Sequence, residues 1–307
     1  YNNFMPPADA PLIDDFRPLA FLRPASAAEA GELVRRAASE GRALYPVGGA
    51  TMLHYGMPPT KPGYAVDLRG LDAVVDYPAR DMTITVGAGI TIAKLQAILA
   101  TEKQRLPIDV PQPALATLGG AIAVNASGPR RFGLGTLRDY VIGISFLTDG
   151  GAEAKAGGRV VKNVAGYDLC KLHIGALGTL GIVTQVTLKL KPVPEESKLI
   201  AFDCRPDELG TLLESVHASQ TRPTCVEAIA DPDGHRLVIG FEDSRDAVAW
   251  QIDQIQREIG SSGTQMIDWP SPLVAETTLK ANLPPSTLPA FLATLDRHAL
   301  KYQASAG

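Results

Sequence analysis

The chain has 307 residues, a formal net charge of −4, 45% hydrophobic and 20% charged residues, and three cysteines (Cys170, Cys204, Cys225) without a C-x-x-C pair. This is the profile of a globular chain long enough for two domains. The absence of a basic block argues against nucleic-acid binding. Scattered, odd-numbered cysteines argue against a disulfide framework and a zinc site, and fit a reducing compartment. The longest weakly polar runs, around 115–124 and 140–147, are too short to cross a bilayer. No signal-peptide pattern is visible, although Tyr1 is not a natural start.

Residues 1–16, rich in Pro and Asp, read as an irregular arm. A helix is predicted over 26–40, where Ser26 and Glu29 form a capping box, Leu33, Val34 and Ala37 make the buried face, and Gly41 supplies the stop. Short strands are predicted over 42–47, 64–68, 73–76 and 82–86, then a helix over 92–102 with Ile92, Leu95, Ile98 and Leu99 on one face. The run 114–141 reads as a glycine-rich loop. A strand over 141–147 leads into a turn at 149–151, and a strand over 182–190 sets Gln185, Thr187 and Lys189 on its polar side. Beyond Pro192 and Pro194 the predicted order is strand 198–203, helix 206–219, strand 224–230, turn 231–234, strand 236–241 and helix 244–258. That βαββα series implies a ferredoxin-like α+β layer, followed by a last helix over 286–298. No internal repeat or low-complexity tract is present.

Four glycine clusters stand out: Gly48–Thr51 after a strand, Gly87–Gly89 before a helix, the run 114–141, and Gly175–Gly181 before a strand. Glycine buries little area and loses much backbone entropy, so such density implies something flat or charged lying against the main chain. None of the clusters is a Rossmann fingerprint, since Ile92 stands where G-x-G-x-x-G needs its last glycine. No P-loop pattern occurs either. Turn glycines with free N–H groups can nevertheless grip a pyrophosphate without arginines. The plain alternative is a packing loop between two elements, or a sugar- or nucleotide-binding protein.

The stretches P-V-G-G-A-T (46–51), A-T-L-G-G-A-I-A-V-N-A-S-G-P-R-R (116–131), V-K-N-V-A-G-Y-D-L (161–169) and G-A-L-G-T-L-G-I-V (175–183) carry a resemblance. In order and spacing the set resembles the FAD-binding domain of the PCMH-type (vanillyl-alcohol oxidase) flavoproteins, above all the FAD-binding E subunits of glycolate oxidases and related D-2-hydroxyacid dehydrogenases. It covers about residues 17–194. The resemblance implies an α+β fold: an arm (1–16), a two-lobed PCMH-type domain (17–194, lobes about 17–76 and 77–194) and a ferredoxin-like α+β cap (195–307). Similar subunits continue with further cap strands, which implies that the cap is incomplete here.

The resemblance also implies cofactor contacts. Pro46, Val47, Gly48, Gly49, Ala50 and Thr51 would form the pyrophosphate loop. Thr117, Gly119, Gly120, Asn125 and Gly128 would run beside the ribityl chain and flavin edge, with Pro111, Asp139 and Val141 nearby. Gly181, Ile182 and Val183 would pack on the adenosine half. Thr51 occupies the place of the flavin-bonding histidine of covalent relatives, so the FAD would be non-covalent, and His54 reads as a loop residue. The implied activity is oxidation of a small 2-hydroxy acid to a 2-oxo acid, with electrons passed through FAD to partner flavoprotein and iron–sulfur subunits. The implied location is cytoplasmic, held peripherally at the inner membrane by those subunits. The alternative is a non-catalytic FAD-binding structural or electron-relay subunit.

Such an oxidation needs a base and a cation for the carboxylate. The candidates are Arg130 and Arg131, which could grip a carboxylate bidentately, and Lys162 and Tyr167. Their plain readings are a solvated loop or subunit contact for the arginines, and a structural hydrogen bond at the Gly166 turn for the other two. His173 reads as a satisfied core histidine and Cys170 as buried and inert. His217, His235 and His298 lie singly in the cap region, and no metal-ligand spacing is visible.

Overall fold

The computed structural model describes residues 12–13, 15–158, 167–231, 234–261, 263–266, 281, 283, 285–298 and 300–305. The chain divides into two units, residues 1–127 with 136–193, and residues 128–135 with 194–307.

The first unit begins with β1 (Phe21–Leu22), α1 (Ala27–Ser39), β2 (Ala43–Val47) and β3 (Gly63–Asp67), the three strands forming a parallel sheet in the order β1-β3-β2. Ser26 caps α1 by accepting the Glu29 N–H at 3.1 Å, and Glu29 accepts the Ala25 N–H at 2.8 Å. Gly41, at φ +63°, ends the helix where a side chain would be strained. Ala30 and Val34 of α1 pack on Val66 and Leu68.

Next come β4 (Val74–Asp76), β5 (Thr83–Gly87), α2 (Ile92–Ala100), β6 (Gln104–Arg105), α3 (Leu118–Val124), α4 (Arg131–Leu134), α5 (Leu137–Tyr140), β7 (Val141–Leu147), β8 (Glu153–Gly157), α6 (Leu169–His173), β9 (Ile182–Lys189) and β10 (Lys191–Pro192). Of these, α4 belongs to the second unit. An antiparallel sheet runs β4-β5-β9-β7-β8, and β6 pairs with β10. Its core joins Ile84 and Val86 to Leu95 and Leu99 of α2, Leu118 and Ile122 of α3, and Val186 and Leu188 of β9. Thr187, expected on a polar face, is buried, and its hydroxyl meets that of Thr85 at 3.0 Å. A hydroxyl pair satisfies both groups without water, so the strand is covered on both sides there.

The run 114–141 is not one loop but three short helices, α3, α4 and α5. Thr117 starts α3 by accepting the Gly120 N–H at 3.2 Å, and Asn125 ends it in the left-handed conformation at φ 51°. Leu118, Ala121 and Ile122 give it a buried face despite two glycines.

The second unit comprises α4 with β11 (Glu196–Cys204), α7 (Leu209–Ala218), β12 (Cys225–Asp231), β13 (Gly234–Asp243), α8 (Arg245–Ile259), β14 (Thr264–Met266), α9 (Leu288–Arg297) and β15 (Tyr302–Ser305). Its antiparallel sheet runs β14-β11-β13-β12-β15. The first four strands and the helices α7 and α8 make the ferredoxin-like βαββαβ order, and β15, which no sequence signal marked, lengthens the sheet. Alternation along β12 sends Val226, Ala228 and Ala230 to the helices and Cys225 and Ile229 to the opposite face with Leu199, Ala201 and Val238. Segment 128–135 is tied in by the Gly133 N–H, which donates to the Thr224 carbonyl at 3.0 Å, and by Arg130 Nη1 against Glu242 Oε1 at 3.0 Å.

Candidate functional site

Five separated stretches of the first unit line one cleft. The end of β2 contributes Pro46, Val47 and Gly48, and the residue after β3 contributes Leu68. Ala88 follows β5, and α3 with its cap presents Thr117, Gly119, Gly120 and Ala123. The end of α6 and the loop into β9 supply His173, Ala176, Leu177, Gly178, Gly181 and Val183. Strand ends and a helix N-terminus thus converge where main chain, not side chain, makes much of the wall.

Of the residues singled out from sequence, Pro46, Val47, Gly48, Thr117, Gly119, Gly120, Gly181 and Val183 line this cleft. Gly49, Ala50 and Thr51 continue the turn beyond it, with Ala50 at φ +57°. Pro111 is exposed, Ile182 and Val141 are buried at strand starts, and Asn125 is the C-cap of α3. Asp139 is spent locally: the Thr136 N–H donates to it at 2.8 Å and, with the Thr136 hydroxyl, holds its carboxyl below the usual range. Gly128 lies in the second unit. Leu68, Ala123 and His173 were not foreseen as cleft residues. Ala88, Ala176, Leu177 and Gly178 sit inside glycine clusters that had already been noticed.

The glycines fall into two physical classes. A methyl on Gly49 would meet the Leu115 carbonyl oxygen at 1.8 Å, and one on Gly48 would meet Thr117 Oγ1 at 2.1 Å. The crossing chain segment by itself requires glycine at these two positions. At Gly120 a methyl would meet Thr117 Oγ1 at 3.2 Å, a tight contact that a shift of a few tenths of an ångström relieves, so the fold forbids a side chain there far less than at Gly48 or Gly49.

The chemical candidates are dispersed. Arg130 pairs with Glu242, whose side chain is 3% exposed, and Arg131 stands exposed on α4. Tyr167 is 93% exposed, and Lys162 lies outside the described residues. His173 is 5% exposed, yet neither ring nitrogen has a hydrogen-bond partner among the described residues. It is therefore not the satisfied core histidine expected. Cys170 is buried, which pushes its thiol up to about 11. His235 Nε2 meets Asp296 Oδ1 at 2.7 Å, and His54 sits in the turn after Thr51 beside Tyr55. Among the described residues no group of three or more His, Cys, Asp and Glu could hold a metal ion, and no helix is long and apolar enough to cross a membrane.

The family model described as "FAD binding domain" matches residues 18–157. Residues 18–157 are thus similar to an FAD-binding domain. Among curated relatives, the chain is 36% identical over 167 residues to glycolate oxidase subunit GlcE of Escherichia coli, covering 54% of this chain and 47% of that one. It is 32% identical over 218 residues to glycolate oxidase subunit GlcD of Bacillus subtilis, covering 70% of this chain and 46% of that one. A D-2-hydroxyglutarate dehydrogenase of Xanthomonas citri is 34% identical over 183 residues, 60% of this chain and 39% of its own. The chain thus spans less than half the length of each of these relatives. A solved alkyldihydroxyacetonephosphate synthase superposes with a TM-score of 0.69 at 21% identity, covering 82% of this chain and 56% of that one, a likeness of fold.

The residues present fit the cofactor. Among the described residues the N–H groups of Gly49, Ala50 and Thr51 meet no acceptor in the turn, as an anion-holding nest requires. Asn125 Oδ1 is buried without a partner. A buried carbonyl oxygen left unpaired costs about 1–3 kcal/mol, and a ligand donor would remove that cost.

Proposed function

We propose that the protein is the FAD-binding subunit of a glycolate or D-2-hydroxyacid oxidase or dehydrogenase. In this reading it holds FAD non-covalently and passes electrons from a small 2-hydroxy acid to partner flavoprotein and iron–sulfur subunits in the cytoplasm, docked through them at the inner membrane. The observation that carries it is the convergence of glycine-rich stretches far apart in sequence on one cleft of the FAD-binding domain. The names of the relatives supply the substrate class.

In this assignment the turn from Gly49 to Thr51 holds the pyrophosphate by main-chain N–H groups, while Thr117, Gly119 and Gly120 flank the chain leading to the flavin. Asn125, with its unpaired carbonyl oxygen, accepts a hydrogen bond from the cofactor. Ile182 and Val183 back the adenosine half. Thr51 has no nucleophile suited to a flavin bond. Bound flavin supplies the hydride acceptor. Of the two arginines considered for the substrate carboxylate, Arg130 is already held by Glu242.

That same ion pair, with Tyr167 turned to solvent, favours a second reading: a FAD-holding subunit whose chemistry occurs on a partner. Mass analysis of the cofactor released by acid tests the shared part of both readings. Colourless protein that takes up no added flavin would refute them. Anaerobic glycolate or D-lactate then separates them. Bleaching of the flavin supports turnover on this chain, and an unchanged spectrum refutes it.

A further inference from the structure

Among the described residues, His173 is the one ionisable residue lining the cleft. Its ring stacks on Phe146 of β7 at 4.1 Å between centroids and 42° between planes, and Cε1 lies 3.3 Å from where a Gly181 methyl would stand. The ring is more than nine-tenths buried, makes no hydrogen bond among the described residues, and lines the cleft. Its nitrogens are not among the fully buried unpartnered atoms, so the polar edge of this largely buried ring stays accessible and the ring lines the cleft, where a ligand can pair with it.

The surroundings define what it can recognise. Burial, with no opposing charge, lowers its basicity below the usual 6.5. No ionisable residue occurs in α3, in β7 or in the loop 175–181. On its own helix, Asp168 caps the Lys171 N–H and the Lys171 ammonium donates to the Arg138 carbonyl. Lys189 of β9 sits over the Tyr140 ring at 5.7 Å. The imidazole is thus neutral, offering one donor and one acceptor. Phe146 stacks on the ring and the apolar Val47, Leu68 and Val183 line the same cleft, whereas the free N–H groups that suit a phosphate lie in the turn beyond Gly48. An apolar slot with a two-way polar handle fits a heteroaromatic base.

We propose that His173 hydrogen-bonds the nucleobase of the bound dinucleotide, making it a determinant of selectivity for FAD over FMN; this rests on the cleft being the FAD site. Protonation would convert the acceptor to a donor and place a charge in the apolar slot. Affinity is therefore constant at neutral pH and falls on acidification below 6.5.

The test is titration of flavin-stripped full-length protein with FAD, FMN and ADP by calorimetry between pH 5 and 8, for the wild type, His173→Phe and His173→Gln. The wild type binds FAD and ADP more weakly at acid pH. His173→Phe keeps the stack on Phe146, loses about tenfold in FAD and ADP affinity, leaves FMN unchanged and loses the acid dependence. His173→Gln regains part of the affinity. Should His173→Phe misfold, the imidazole NMR signals of the wild type serve instead, and their titration must move to lower pH when ADP is added. An unchanged FAD affinity in a folded His173→Phe, or wild-type binding that tightens on acidification, overturns the assignment while leaving the FAD site intact. Failure of the wild type to bind FAD or ADP at any pH overturns the site itself.

Discussion

Replacing Gly120 by alanine separates a glycine that the ligand needs from one that the fold needs. Gly120 is helical, within α3, and its methyl would meet only Thr117 Oγ1 at 3.2 Å. Helix propensity favours the change by about 0.8–1 kcal/mol, and tightening against one hydroxyl offsets part of that. The flavin-stripped variant should therefore be unchanged or up to about 1 kcal/mol more stable. Gly49→Ala is the contrast. Its methyl would sit 1.8 Å from the Leu115 carbonyl oxygen and 3.1 Å from the Ala116 nitrogen. Relief requires moving a segment whose Leu115 and Ala116 N–H groups donate to Gln112 at 2.9 and 2.8 Å and whose Ala116 carbonyl accepts the Ile92 N–H at 2.9 Å. Overpacking of this kind costs about 1–3 kcal/mol, with hydrogen bonds of about 1 kcal/mol each at risk. Thermal melts should show Gly49→Ala lowered by roughly 5–10 °C, at about 2–4 °C per kcal/mol, while Gly120→Ala is not lowered. FAD titration should show the reverse order of specificity: Gly120→Ala loses at least about tenfold in affinity through the cleft wall alone. A Gly120→Ala protein that melts as low as Gly49→Ala, or that binds FAD like the wild type, refutes the reasoning.

Further outcomes follow from single interactions. Burial alone would raise the Asp67 carboxyl, but the Arg69 side chain and N–H, with Arg23 at 3.2 Å, hold it below its ordinary value. Its stabilising contribution is fully present above about pH 4 and is lost as pH falls through the lower folded value; Asp67→Asn should cost about 1–2 kcal/mol at pH 7 in denaturant titration and progressively less as the pH is lowered below about 4. Arg130→Leu removes the guanidinium from the Glu242 carboxylate, whose side chain is 3% exposed, and should destabilise the second unit by about 2 kcal/mol in urea titration; a neutral result would mean that the pair is not buried in solution. The Cys170 and Cys204 thiols are both pushed up to about 11, chiefly by burial. Iodoacetamide at pH 8 should label them at least about tenfold more slowly in folded than in denatured protein, as read by intact mass.

Much of the architecture was legible locally. Ser26 and Gly41 delimit α1, and the alternation along β12 and β13 marks a sheet with two buried faces. The run 114–141 was misread because glycine masks a helix. The signature of α3 is nevertheless there, in Thr117 as cap, Leu118, Ala121 and Ile122 at helical spacing, and Asn125 as the left-handed stop. The strand β15 carries no signal of its own, because a four-residue edge strand draws its pairing from β12.

Glycine density and order in the chain pointed to a flat, phosphate-bearing ligand, and the resemblance carried by the four motif stretches named it as FAD. Which glycine serves the ligand was beyond reach, because at Gly49 and Gly120 the local pattern is alike and only the crossing of residues 115–117 over one of them distinguishes the two. The same holds for His173. Its helix describes an ordinary core histidine, and it is the meeting of α6 with β7 and the loop into β9 that buries the ring, strips it of partners and lays it along the cleft. Burial and partnership are properties of neighbours distant in sequence, and folding alone brings those neighbours together.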